Sequence, residues 1–413
     1  MRFTFALLLA PLLLSGTSPA DESWPTYRGP NGDGHSTAKN VPTAFGESDN
    51  LRWKVAIHDK GWSSPVVRGD QVWVTTAKED GSEMFAVCVD RNSGQVVHDL
   101  KLYTPDPKAT PLPDMRKYNS YASCTPYLEE GRGYFHFGTY GTVCLDTKTG
   151  KPIWERKDIH VDHYRGPASS PVVWNDLLFL TFDGFDRQYV TALNKATGKT
   201  VWAKDRAIKY KSDNGDFKKA YSTPQVITVG GKPQLVSSAA EATIAYDPAN
   251  GDEIWKVYHG GMNEAVRPVY AHGLVYLTAG HVKSLVAVKP GSGEVTPTWS
   301  FKKDGPTRPS PIVVKDHLYF ANDEGVAFCL NAKTGEQEWK ERLGGPCTAS
   351  PILVEGNLIF CAENGKVEVI AADPTFNRVT VNKLDAGCKA SPAAVGDALF
   401  VRTFTHLYCF GKK

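Results

Sequence analysis

Cys144–Trp154 reads CLDTKTGKPIW, and the phrase returns as ALNKATGKTVW at Ala192–Trp202 and as CLNAKTGEQEW at Cys329–Trp339. An Asp or Asn, a Thr-Gly pair and a Trp keep their places in all three. The acid or amide can bond the backbone two residues on, and the closing Gly can take a positive φ that a Cβ would resist. The phrase therefore reads as strand, tight turn, strand. Looser copies of the turn are DRNSG (90–94), DPANG (247–251) and KPGSG (289–293). The Trp follows the Gly by four residues at Trp154, Trp202, Trp255 and Trp339 and by six at Trp299, and His98 takes its place in the first copy.

A second phrase precedes the first: SSPVVRGDQVWVT from Ser63, SSPVVWNDLLFLT from Ser169, PSPIVVKDHLYFA from Pro309 and ASPILVEGNLIFC from Ala349. Short runs rich in Val, Leu and Phe, split by a GD or ND turn, read as a strand pair. Its proline recurs at Pro65, Pro126, Pro171, Pro224, Pro268, Pro311, Pro351 and Pro392, at intervals of 61, 45, 53, 44, 43, 40 and 41. Four strands in each of eight such units predict an all-β fold, an eight-bladed propeller spanning residues 51–413. One blade alone cannot bury both faces. Stacking in a ring does so, and each Trp offers a large area to bury against a neighbouring blade.

The final unit, ASPAAVGDALFVRTFTHLYCF, supplies three strands and no Trp strand. LRWKVAI, from Leu51, carries Trp53 with no strands before it. Trp53 precedes Pro65 by 12 residues, as Trp299 precedes Pro311 and Trp339 precedes Pro351. Leu51–Val55 is therefore expected to complete the eighth blade and to close the ring, leaving no open edge there.

Arg2, the apolar run FTFALLLAPLLL and the small residues Ser18 and Ala20 predict an export signal over residues 1–20, cut after Ala20. Residues 21–50 then form an N-terminal extension, and the protein is expected in the periplasm or outside the cell. A net charge of +2 gives no electrostatic case for nucleic acid, and no later segment has the apolar length of a membrane span. The eight Cys of an exported chain suggest disulfides. Four of them, Cys88, Cys144, Cys329 and Cys409, share a repeat slot with Ala192, Ala245 and Ala287, which fits a small buried side chain. Cys347 and Cys388 stand four residues before the prolines of neighbouring blades, where a cross-blade disulfide is open to them.

The phrase LDTKTGKPIW resembles the tryptophan docking motif of the pyrroloquinoline quinone repeat superfamily of eight-bladed propellers. The resemblance covers about residues 51–413, and SWPTYRGPNGDG (23–34) is similar to the leader of exported bacterial members. In size the chain is similar to the propeller subunit of the outer-membrane β-barrel assembly machinery, a non-enzymatic scaffold. The resemblance implies a binding or scaffolding module. Its alternative is a quinone-dependent oxidoreductase using pyrroloquinoline quinone and calcium, although the Cys-Cys pair of many alcohol-oxidising members is missing here. A third reading is a hydrolase or lyase acting on polysaccharide. No cofactor and no metal are expected under the first reading.

The connections from an outer strand to the next inner strand share one face. They measure 28 residues from His98 to Pro126, 17 from Trp154 to Pro171 and 22 from Trp202 to Pro224, against a basic 12 or 13. Long loops on a rigid scaffold favour binding. In them Tyr118, Tyr121, Tyr164, Tyr210 and Tyr221 interleave with Lys117, Arg165, Lys211 and Lys219, a mix suited to a protein or to a small polar or anionic ligand. Three residues before each repeat proline stand Trp62, Ser123, Ala168, Tyr221, Ala265, Arg308, Thr348 and Lys389, a ring that either shapes an off-centre pocket or plugs the channel. Asn263 and Glu264 precede the fifth blade's inner strand, as amide and carboxylate candidates for a cation or as a plain polar channel lining. In HVDH (160–163), His160 and Asp162 share a face as two ligands without a third, and His163 joins the ligand candidates. The candidates for binding are thus Trp62, Tyr121, His163, Arg165, Lys219, Tyr221, Asn263, Glu264, Arg308 and Lys389.

Overall fold

The computed structural model describes residues 23–113, 115 and 119–412. The expected export signal, Lys117 and Tyr118 lie outside the described residues. Eight sheets, antiparallel but for one added strand, follow one another round a ring, each running outward from an inner strand that starts just after a repeat proline. The first blade pairs Val66–Arg68, Gln71–Ala77, Met84–Asp90 and Val96–Tyr103 in that order. In the last blade, Leu51–Ala56 lies outside His406–Phe410, with Trp53 opposite Cys409 and Val55 opposite Leu407. The ring is closed by the N-terminal strand, as the 12-residue spacing predicts.

Each docking Trp leaves its own blade and lies on the turn of the next. The Trp154 indole N–H donates to the Lys195 carbonyl at 2.8 Å, and Trp202 does the same to Pro248 at 3.0 Å. Trp53 carries the pattern across the closure to Arg91 at 2.8 Å. The glycine of the turn is required twice over. Gly198 has φ +71°, and a Cβ there would stand 2.6 Å from the Trp154 ring. The Asp146 carboxylate caps the turn by accepting from the Lys148 and Thr149 N–H groups.

The small slot is explained by register. Cys88 stands opposite His98, and Cys144, Ala192, Ala245, Ala287, Cys329 and Cys409 each stand opposite a docking Trp. A small side chain there leaves room for the indole. All eight cysteines are free and buried, so Cys347 and Cys388 are not bridged. The thiol beside Cys388 is that of Cys361. Trp255 departs from the rule. Its N–H goes to Gln234 Oε1 at 2.8 Å, and the extra residues before Trp299 form a short strand, Gly293–Val295, that pairs parallel to it.

Candidate functional site

The polypeptide enters each blade from the loop face and descends along the channel. The residue before each repeat proline is Ser64, Thr125, Ser170, Thr223, Arg267, Ser310, Ser350 or Ser391. The hydroxyls of this level tie blade to blade. The Ser64 N–H donates to Thr125 Oγ1, Thr125 to Ser170 and Ser170 to Thr223, each at 2.9 Å. The chain resumes from the Arg267 N–H to Ser310 at 3.0 Å, passes to Ser350 and Ser391, and returns from Ser391 to Ser64. It breaks between Thr223 and Arg267, where the hydroxyl is missing. Serine or threonine before proline was visible in seven of the eight repeats, and that signal identifies the ring.

Two levels higher lies the ring from Trp62 to Lys389, and all eight of its members line one cavity of about 330 Å³. The cavity is blind. Residues 24–39 cross the opposite face, with Trp24 paired to Val67 in the first blade and Lys39 donating to Gly396 in the last. Between them Tyr27 reaches the cavity floor, its hydroxyl 2.9 Å from Ser350 Oγ. Beneath it the Arg28 guanidinium donates to the Ser310 and Pro311 carbonyls, and Arg267 donates to the Tyr27 carbonyl. Both side chains are buried. Burial and the neighbouring Arg28 push Arg267 down to about 10.

Of the sequence candidates, the structure places Trp62, Arg165, Tyr221, Asn263, Arg308 and Lys389 on the cavity. Of the other four, Tyr121 lines a separate depression with Asp59, Lys78 and Pro113, and His163, Lys219 and Glu264 are buried off the cavity. His163 is buried, accepts the Thr139 N–H on Nε2 at 3.0 Å and stacks on Phe182; burial pushes it down to about 4. Lys219 is buried under Tyr164, 4.2 Å from the ring centroid, and is paired with Asp216. The Tyr121 hydroxyl donates to the Pro113 carbonyl. Glu264 accepts from Thr278 and from the Val266 N–H, and burial raises its carboxyl to about 8. His160 bonds Thr139, and Asp162 accepts the Tyr164 N–H.

On the rim, Lys389 Nζ lies 5.2 Å from the centroid of the Trp62 ring. Arg308 and Lys389 both approach the Glu363 carboxylate, at 3.8 and 3.5 Å. The Trp62 indole nitrogen, the Tyr221 hydroxyl and the Asn263 amide oxygen are shielded from solvent and have no partner among the described residues. No Asp or Glu is among the described residues of the lining.

A family model of the PQQ_2 type, described as outer membrane protein assembly factor BamB, matches residues 186–413, more than half of the chain. The chain belongs to this family. The crystal structure of BamB from Moraxella catarrhalis superposes with a TM-score of 0.62 at 10% identity, covering 87% of this chain and 99% of that one. A europium-containing methanol dehydrogenase superposes with a TM-score of 0.60 at 12% identity, covering 96% and 98%. Both likenesses are likenesses of fold. Quinoprotein alcohol dehydrogenase PedH of Pseudomonas putida is 31% identical over 141 residues, 32% of this chain. The match spans 22% of the length of that curated relative.

The family's fold raises a quinone and its calcium as a test of the site. Among the described residues no three His, Cys, Asp or Glu side chains converge as metal ligands. The cavity lining is cationic, and the buried Glu264 off this lining accepts only on Oε1 among the described residues, from Thr278 and the Val266 N–H, with burial raising its carboxyl. A hard cation needs six to eight oxygen ligands, carboxylates foremost. These residues do not fit calcium. No described helix is long and apolar enough to cross a membrane.

Proposed function

We propose that this chain is an exported binding module whose loop-face cavity receives a ligand or a projecting segment of a partner protein. The observation that carries this reading is the blind cavity itself. Eight side chains of seven kinds are held round it by a rigid repeat, with cations, an indole and a phenol on the wall. The described lining has no carboxylate, whereas a glycoside hydrolase ordinarily uses two. Its one described imidazole, His281, is exposed and stands without a nucleophile bonded to it. Recognition is the chemistry this arrangement supports. The export-like N-terminus and a family described as an outer-membrane assembly factor both support a place outside the cytoplasm.

Native mass spectrometry of the protein purified from its own cell envelope tests the reading. A bound mass, small molecule or protein, that is lost in an Arg308→Gln/Lys389→Met double variant is expected. Dye-linked oxidation of an alcohol or aldose after loading with pyrroloquinoline quinone and calcium would replace it with the oxidoreductase reading.

A further inference from the structure

We infer that the ligand of this cavity is a small organic anion, a carboxylate carrying further oxygen acceptors, as in a sugar acid or a hydroxy acid. The inference rests on the binding-module reading and names the chemistry of its ligand. It follows from an excess of donors over acceptors at three depths.

At the rim, Arg165, Arg308 and Lys389 come from the third, sixth and eighth blades. Glu363 draws Arg308 and Lys389 to one wall, and Asp323 and the Thr348 hydroxyl also hold Arg308; a guanidinium has five N–H groups and an ammonium three, so donors remain on both for a ligand carboxylate. The Trp62 face beside Lys389 offers an apolar surface for a ring or carbon chain.

At mid-depth, Ser64, Thr125, Ser170, Thr223 and Ser391 line the cavity. Each accepts a backbone N–H from a neighbouring blade. None of the five donates its own O–H proton to another described protein atom. An arc of hydroxyl protons therefore remains, and it suits the oxygens of a ligand. The unpartnered Trp62 N–H and Tyr221 O–H add to the same side of the balance. Among the described lining residues Asn263 Oδ1 is an unpartnered acceptor, which suits a ligand hydroxyl.

Below the floor, Arg28 and Arg267 are buried against carbonyl oxygens. Buried charge ordinarily finds a counter-charge. Asp33, whose carboxylate is also bonded to His35, offsets part of this charge. Their field is screened less than that of surface groups, and it favours a negative ligand above Tyr27. A cavity of about 330 Å³ is at the small end for organic ligands.

Isothermal titration calorimetry on the full mature chain tests the inference with galacturonate, citrate, neutral galactose and inorganic phosphate as probes. Saturable binding of galacturonate or citrate, weakening with salt and falling about ten-fold or more in Arg308→Gln or Lys389→Met, is expected. Galacturonate alone identifies a sugar acid, and citrate alone a free hydroxy acid. Galactose binding as tightly as galacturonate, or phosphate as tightly as either acid, would overturn the class. So would carboxylate binding unchanged in both variants. Circular dichroism shows whether each variant is folded. If no carboxylate binds at millimolar concentration to folded wild type, the inference fails. A partner protein cross-linked to Arg308 would then leave the binding-module reading standing.

Discussion

The Ser391 backbone N–H donates to the Ser64 hydroxyl across 3.1 Å, joining the last blade of the ring to the first at the wall of the channel. The Trp53 strand makes the same junction at the rim of the molecule. The ring is thus fastened at two radii, once by a side chain and once by a strand.

Replacing Ser64 by Ala leaves the buried Ser391 N–H without its acceptor. A loss of about 1–3 kcal/mol is expected, read from the urea midpoint. Ser64→Thr keeps the hydroxyl and is expected to recover most of it.

Trp53→Ala removes an indole that packs on Gly94 and bonds the Arg91 carbonyl. The expected cost is about 3–5 kcal/mol. Gly94→Ala attacks the same contact from the other side. Gly94 sits at φ +75°, and its new Cβ would meet the indole at 2.8 Å, so it should also lower the midpoint.

Asp183 and Arg206 form a buried bidentate pair at 2.8 and 2.9 Å. Asp183→Ala strands the guanidinium and should cost about 3–5 kcal/mol. A double change of both residues to apolar side chains is expected to cost less than this single one, which a double-mutant cycle measures.

Glu264 has its folded-state carboxyl raised to about 8 from 4.5. The folded chain holds this proton over a range where the unfolded chain has lost it. Its contribution is therefore fully present below about 4.5 and is lost as pH rises toward 8. Glu264→Gln should raise the melting temperature above pH 8 relative to wild type and change it little near pH 4.5. His136, His163 and His259 act on the acid side. Burial pushes them down to about 3, 4 and 4, so the unfolded chain takes up protons first and stability falls as pH drops below about 6.5. Melting temperature against pH reads both slopes.

The blades and their closure were legible because repetition turns a weak local signal into a strong one. Trp53 could be assigned to the last blade from its distance to Pro65 together with the missing Trp strand of the final unit. The cavity ring was legible for the same reason, since Trp62, Arg308 and Lys389 occupy equivalent places ahead of their prolines. The irregular loops have no period, so nothing in them tells which side chain faces inward. His163 and Lys219 look like functional residues, and their loops fold them into the wall. The hydroxyl ring escaped notice although Ser or Thr precedes seven of the prolines. Its bonds run between repeats 40 or more residues apart, to backbone N–H groups that carry no sequence mark. Tyr27 and Arg28 reach the floor from a segment that occurs once, where repetition offers no help, and Arg267 is marked only as the one repeat slot before proline that lacks Ser or Thr.

The pairing of Trp53 with Cys409 has a kinetic side. The partners are separated by 356 residues. At ordinary synthesis rates the Trp53 strand waits roughly 20–70 s for the strand it will join. During that wait an unpaired apolar edge is open to wrong partners. Non-local pairing of this kind also slows folding, because chain entropy is lost before the contact is made. A circular permutant carrying residues 51–57 behind residue 412 on a short linker makes the contact local, and it should refold faster and aggregate less than the natural order.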